Sequence, residues 1–259
     1  MRQDGSIPAK FAANFLAFDT STDVMSVAVT DGAQIAGCVR LWQHTGPGGA
    51  KASSTLIPAI LTLLAEANLA LGDLQAIAFG RGPGSFTGLR TACAVAQGLA
   101  FGAQGSGQGG VGIPVLPIDT LIAVAEEARL QKESPLITAL LDARMDEVYV
   151  QRYSCREGVL APQGDCELIR PEHLLVKPGV LYAGNVFDMY RDRLPKMLTH
   201  LNSLSCVPTA TAMLRLAPAL AASGHCVPAA QALPLYVRNK VALTTQEREQ
   251  NKALKLQTM

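Results

Sequence analysis

The stretch richest in chemical possibility is Gly80-Arg81-Gly82-Pro83-Gly84-Ser85-Phe86-Thr87-Gly88-Leu89-Arg90. A glycine-rich turn opening a helix can offer backbone N–H groups to an anion. The spacing fits neither familiar phosphate cradle. A Walker loop needs G-x-x-x-x-G-K-[ST], and no Lys lies in this stretch; the dinucleotide form needs G-x-G-x-x-G, whereas these glycines fall at 80, 82, 84 and 88. A shaped structural turn is the plainer reading. Metal chemistry of the usual local kind has no motif either. The histidines at 44, 173, 200 and 225 form no H-x-x-x-H, and the cysteines at 38, 93, 155, 166, 206 and 226 form no C-x-x-C. Free thiols follow from that spacing.

The elements around the glycine block come next. Ala76-Ile77-Ala78-Phe79 reads as a buried strand leading into it, and Ser85 stands where a helix N-cap belongs. The helix over 86–102 carries one charge, Arg90, and Gly88, Ala92, Ala96 and Ala100 leave one face almost bare backbone. Such a helix predicts cover on more than one side. A second helix, from Ser53 or Ser54 to about Asn68, places Leu56, Ile57, Ile60, Leu61, Leu63 and Leu64 on more than one stripe, with Pro58 near its first turns. One stripe must face a sheet. The surplus predicts either cover from the chain's own remainder or, as favoured here, a partner surface.

Strands are predicted at 14–19, ending in Asp19-Thr20-Ser21-Thr22, at 24–30, and at 34–40 after an Asp31-Gly32 hairpin turn. Residues 44–50 read as a loop. Asp119 opens a helix over 120–130. Leu136-Ile137-Thr138-Ala139-Leu140-Leu141 is a buried strand ending in Asp142, and 147–153 is its hairpin partner, so a strand–Asp–turn–strand unit occurs twice. Short helices are expected over 171–176 and 186–201, the latter broken at Pro195. An Ala/Leu-rich helix is expected over 209–223, cut or kinked at Pro218, and Pro234-Leu235-Tyr236-Val237-Arg238 closes the ordered part. The expected organisation is an extension over 1–13, a first α/β domain over 14–108, a second over 109–243 beginning at a Gly-rich break, and a polar tail over 244–259.

With 259 residues, 49% hydrophobic and 17% charged, the chain is a globular protein with a sizeable core. A net charge of +1 makes it a poor sole binder of nucleic acid, and the scattered Arg40, Lys51, Arg81 and Arg90 add little to that. No apolar run reaches a membrane span and the first residues do not resemble a signal peptide, so a cytoplasmic location is expected.

The ordered set Asp19-Thr20-Ser21-Thr22, the 80–90 block, Asp142-Ala143-Arg144-Met145-Asp146-Glu147-Val148-Tyr149 and Pro234-Leu235-Tyr236-Val237-Arg238 resembles the bacterial TsaB family, also called YeaZ, over roughly residues 14–241. The resemblance implies the actin/Hsp70/sugar-kinase (ASKHA, RNase H-like) architecture of two related α/β domains. It implies a degenerate relative of TsaD, the transferase that puts threonylcarbamoyl on N6 of adenosine 37 in tRNAs reading ANN codons. It further implies a non-catalytic dimerisation subunit for TsaD, joined by the ATPase TsaE, that homodimerises when alone and meets tRNA through the complex. The His that family members often carry before the first long helix is absent from 50–58, so no catalytic metal is expected.

Carried onto this chain, the partner surface maps to Leu56, Ile60, Leu63, Leu64, Phe86, Leu89, Arg90, Cys93 and Gln97. No tightly bound cofactor is expected, with ATP or ADP and magnesium placed, if anywhere, at the complex interface. The alternative is an ATP-dependent kinase-like enzyme of the same architecture. There Asp19 and Asp142 would hold magnesium through water and Gly184 would flank an adenosine, although both carboxylates also suit turn capping. A metallopeptidase lacks the ligands to activate water.

Overall fold

The computed structural model describes residues 13–35, 38–103, 112–198 and 202–238. Strand β1 (Asn14–Asp19) is buried on both faces and occupies the middle of the first sheet. It pairs antiparallel with β2 (Val24–Ile35), from Asn14↔Asp31 to Asp19↔Ser26, and parallel with β4 (Ala76–Gly82), from Phe15↔Ala76 to Phe18↔Phe79. With β3 (Cys38–Pro47) and β5 (Val115–Asp119) the order is β3-β2-β1-β4-β5.

Alternation along β1 sorts the two cores. Leu16 and Phe18 join Ile77 and Phe79 under helices α1 (Ala52–Glu66) and α2 (Phe86–Gly102). Phe15 and Ala17 join Ala76 and Ala78 under α4 (Ala210–Ala222) on the opposite face. Thr209 caps α4, its hydroxyl accepting a hydrogen bond from the Ala212 N–H at 3.1 Å.

The second sheet contains β6 (Leu136–Asp142), β7 (Val148–Arg156), β8 (Val159–Pro162), β10 (Leu181–Gly184) and β11 (Ser203–Ser205), with β9 (Glu167–Ile169) also on β7. Its order is β11-β10-β6-β7-β8. Read from β8, this repeats the first sheet strand for strand: two antiparallel pairings to the central strand, then two parallel ones. The twofold strand–Asp–turn–strand unit is the visible part of a complete topological repeat.

Several expectations change. Val115–Asp119 continues the first sheet through parallel pairing with β4, so the Gly-rich break is the return from α2 to its own sheet and not a domain boundary at 109. The two domains also exchange helices. Helix α3 (Thr120–Gln131), which follows the first sheet, packs on the second through Leu121, Val124, Ala125 and Ala128, and α4 returns to the first. Asp31-Gly32 is not the hairpin turn. It is absorbed as an irregularity between Thr30 and Gln34 with Gly32 at φ 66°, and Thr45-Gly46-Pro47, expected as loop, pairs with Val24–Ser26. The described part of 186–201 forms turns, and the expected 171–176 helix is a single 3-10 turn, Pro171–His173. Val186 and Tyr190 reach the second sheet's core from these turns, beside Leu140 and Tyr182, so no helix is required to bury them. The expected extension and polar tail lie outside the described residues, apart from Ala13. Among the described residues no helix is long and apolar enough to cross a membrane.

Candidate functional site

The end of β1 is built around Asp19. Its Oδ1 accepts hydrogen bonds from the Ser21 N–H (2.9 Å) and the Ser21 hydroxyl (2.7 Å), an Asx-type closure of the turn. The glycine block is the mould for this turn. A Cβ at Gly80 would strike Asp19 Oδ2, one at Gly84 would strike Ser21, and one at Gly88 would strike the Thr20 carbonyl oxygen. Thr20 donates from its hydroxyl to the Gly88 carbonyl at 2.7 Å, and the Ser85 N–H donates to the Ser21 carbonyl at 2.7 Å. Ser85 occupies the N-cap position of α2 without a side-chain cap bond. The backbone that an anion cradle would need is thus turned toward the protein's own first loop.

Asp19 is fully buried, and its Oδ2 has no hydrogen-bond partner. Burial pushes its carboxyl up from 3.8 to about 6, against the opposing pull of the Ser21 hydrogen bonds. Below the unfolded value both states hold the proton and the site is neutral. Between 3.8 and about 6 the unfolded chain ionises first, so stability falls as pH rises, and above that range the full cost is present. A shift of this size corresponds to about 3 kcal/mol. The stability gap between Asp19→Asn and wild type should therefore move in favour of the variant by roughly 2–3 kcal/mol from about pH 4 to about pH 7.5. Urea unfolding at the two pH values measures it; an unchanged gap would contradict the buried-carboxyl account.

Asp142 ends β6 in the equivalent place but not in the same state. Its N–H donates to Asn185 Oδ1 (2.9 Å), and its Oδ1 accepts from the Tyr190 hydroxyl (2.8 Å) and the Arg144 N–H (2.9 Å). Its Oδ2 lies 3.3 Å from Arg144 Nη1. Burial first, then the Asp142 bond, raise Tyr190 above the ordinary phenol range. Arg144, Met145 and Asp146 follow with φ of 60°, 55° and 63°, three consecutive non-glycine residues in the left-handed region. Such residues cost on the order of 1 kcal/mol each or more, so the turn must be held from outside. Arg238 does this, donating to the carbonyls of Ala143 (3.1 Å) and Arg144 (3.2 Å) while pairing with Glu147 at 2.6 Å.

The two loops face each other across a cleft of about 220 Å³, lined by Ser21, Thr22, Phe86, Leu141, Asp142, Met145, Asn185 and Tyr236 among others. Arg144 crosses its mouth to Asp23 at 3.0 Å. The volume lies below the roughly 300–1,000 Å³ of ordinary small-molecule sites. Of the three nucleotide candidates, only Asp142 lines the cleft, and its oxygens already serve Tyr190 and Arg144. Asp19 is sealed behind Ser21 and Gly80. Gly184, at φ 155°, is required because a Cβ there would meet the Leu140 carbonyl. Asp19, Asp142 and Gly184 therefore do not converge on the cleft.

The surface expectation for the first-domain helices needs correction. Leu56, Ile60, Leu63 and Leu64 are 0–4% exposed and pack on the sheet, and Leu89 is 1% exposed. Each such side chain is stabilised by about 1.5–3 kcal/mol through burial, so the larger apolar stripe goes to the core. The remaining α2 residues are engaged by the chain's own C-terminal segment. The Cys93 thiol and the Gln97 amide donate to the Ala232 carbonyl at 3.1 and 2.9 Å. Phe86 packs 5.5 Å from the Tyr236 ring, and the Arg90 guanidinium lies 3.8 Å over Phe86 and donates to the Tyr236 hydroxyl at 3.1 Å.

What stays outward is the complementary row. On α1 it carries Ser54, Ile57, Pro58, Leu61, Thr62 and Ala65; on α2 it carries Thr87, Ala94, Gly98 and Phe101. Ile57 is 44% exposed, Leu61 51% and Phe101 48%, and the exposed charges on these helices are Glu66 at the end of α1 and Arg90 near the start of α2. The signal was present in the sequence: 56, 60, 63 and 64 form the denser stripe, so the i, i+4 pair 57 and 61 is the leftover face. Of the basic residues named from the sequence, Arg40 pairs with Asp31, Arg81 with Asp119, Arg90 lies on Phe86, and Lys51 is exposed.

The comparisons with known proteins agree on one group. Residues 47–257 match the family model for TsaD, tRNA N6-adenosine threonylcarbamoyltransferase. The tRNA threonylcarbamoyladenosine biosynthesis protein TsaB of Haemophilus influenzae is 34% identical over 238 residues, covering 87% of this chain and 94% of that protein. Its counterpart from Escherichia coli is 31% identical over 238 residues, covering 88% and 95%. The solved structure of YeaZ from Pseudomonas aeruginosa superposes with a TM-score of 0.74 at 35% identity, covering 87% of this chain and all of that one.

Proposed function

The chain belongs to the TsaB family, and from that premise we propose that it is the non-catalytic dimerisation subunit of a tRNA-modifying assembly. In this reading it joins TsaD, with TsaE as a further component, for N6-threonylcarbamoylation of adenosine 37 in tRNAs reading ANN codons. Alone it pairs with a second copy. It works in the cytoplasm and meets tRNA through the assembly. The strand-for-strand repeat of the two sheets supports the actin/Hsp70/sugar-kinase architecture that goes with this family. In this reading any ATP or ADP with magnesium sits at the interface shared with TsaD.

The observation that carries the proposal is the set of exposed apolar side chains on α1 and α2, Ile57, Leu61 and Phe101. Exposed apolar side chains on two helices that cover one face of the sheet, with the small Ala94 and Gly98 also outward, are the marks of a helix-packing interface. Size-exclusion chromatography with light scattering, on the chain alone and mixed with TsaD from the same cell, tests it. The double variant Ile57→Glu, Leu61→Glu is expected to remain folded, because both positions face solvent in the single chain. It should bind TsaD about 100-fold or more weakly, the usual scale for two lost apolar anchors. A double variant that still elutes with TsaD at the wild-type mass would overturn the assignment.

A further inference from the structure

The stretch after the 3-10 turn Ala229–Gln231 has no regular secondary structure, yet it is fastened at both ends. Its near end runs along α2 toward that helix's first turn. There the Leu235 N–H donates to the Arg81 carbonyl at 2.7 Å and Tyr236 is gripped by Phe86 and Arg90. Two residues later Arg238 closes on the carbonyls of the β6–β7 turn in the other domain. That turn holds three successive left-handed residues, and it provides the Arg144 that spans the cleft mouth to Asp23.

We propose that residues 235–238 are a strap that couples the first turn of α2 to the β6–β7 turn, so that loosening or pressing the α2 end changes how firmly the cleft mouth is held. The physical basis is a continuous chain of packed and hydrogen-bonded groups ending on a strained element, which relaxes when its external donor is withdrawn. Tyr236 makes its ring contact and its hydroxyl bond to α2 and also lines the cleft beside Met145, so Tyr236→Phe, which removes the bond from Arg90 and keeps the ring, separates the route through the strap from a direct change in the cleft. The inference concerns the free chain and does not depend on the partner reading. Its failure would leave the docking surface untouched, and the reverse also holds.

Hydrogen–deuterium exchange of the full chain tests it, comparing wild type with Tyr236→Ala and Arg238→Gln. Both variants should exchange faster by about threefold or more at residues 143–147, with β1 and β4 peptides unchanged. If Tyr236→Ala also loosens β1 and β4, Tyr236→Phe replaces it, since it keeps the ring on Phe86 and removes only the bond from Arg90. Exchange at 143–147 that stays at the wild-type rate in the Tyr236 variant, while Arg238→Gln alone raises it, would reduce the strap to a local clamp and overturn the coupling.

Discussion

Replacing Gly88 by Val is expected to cost about 3–5 kcal/mol and to leave little folded chain at 37 °C. The added Cβ would meet the Thr20 carbonyl oxygen, which is backbone and cannot rotate away. The displacement would also break the 2.7 Å bond from the Thr20 hydroxyl to the Gly88 carbonyl. Both groups are buried, so neither finds water as a substitute. Gly98, ten residues further along the same helix, supplies the control. A Cβ there meets nothing within 4 Å and its backbone is helical, so Gly98→Ala should stabilise the chain by about 1 kcal/mol. Urea denaturation of the two variants measures the contrast. Equal effects would mean that the glycine block is not a packing mould.

The second large effect belongs to the seam between α3 and α4, the helices that the domains exchange. Arg215, its side chain 6% exposed, donates to Glu126 at 3.0 Å and to Glu127 at 3.1 Å. Glu126, itself 2% exposed, also receives two bonds from Arg129 at 2.7 and 2.8 Å. The Glu126 bond is the main cause that raises Arg129 above its ordinary value, burial opposing it. Removing Arg215 leaves buried carboxylate without one of its cations, which costs about 3–5 kcal/mol in such networks. Arg215→Leu is therefore expected to destabilise by that amount. Arg215→Leu with Glu126→Leu should recover part of the loss, because an apolar pair needs no compensation. Thermal and urea unfolding of the single and double variants decide it. A double variant less stable than Arg215→Leu would show that the seam depends on the charges themselves.

The fold was legible where local pattern and tertiary demand agree. The buried runs at 14–19, 76–79 and 136–141 were each strands, and α2 and α4 lie within a residue of their expected ends. The repeat of strand, Asp and turn at Asp19 and Asp142 pointed correctly to two related sheets. Legibility stopped where a long-range partner decides. Nothing local distinguishes a Gly-rich linker from the return of a helix to its own sheet, and only the pairing of β5 with β4 places Val115–Asp119 in the first sheet. Asp31-Gly32 has the chemistry of a tight turn, but pairing of Gln34 with Val39 carries the strand past it.

The site was half legible for the same reason. That α1 and α2 bear too much apolar surface was visible in the sequence. Which stripe faces outward depended on the position of the sheet, and the cover on Cys93 and Gln97 comes from Ala232, 139 and 135 residues away. The equivalence of Asp19 and Asp142 as carboxylates hid their difference as environments, one sealed and without a second partner, the other fully bonded.

The most direct test of the scaffold account is tRNA modification reconstituted with threonylcarbamoyl-adenylate as donor, TsaD, TsaE and this chain, read as threonylcarbamoyladenosine by nucleoside mass spectrometry. The account predicts that the Ile57→Glu, Leu61→Glu variant fails to support modification, while Asp142→Asn, altered only inside the cleft, supports it at the wild-type level. Modification lost with Asp142→Asn and retained with the outward-face variant would contradict the account and place the function in the cleft.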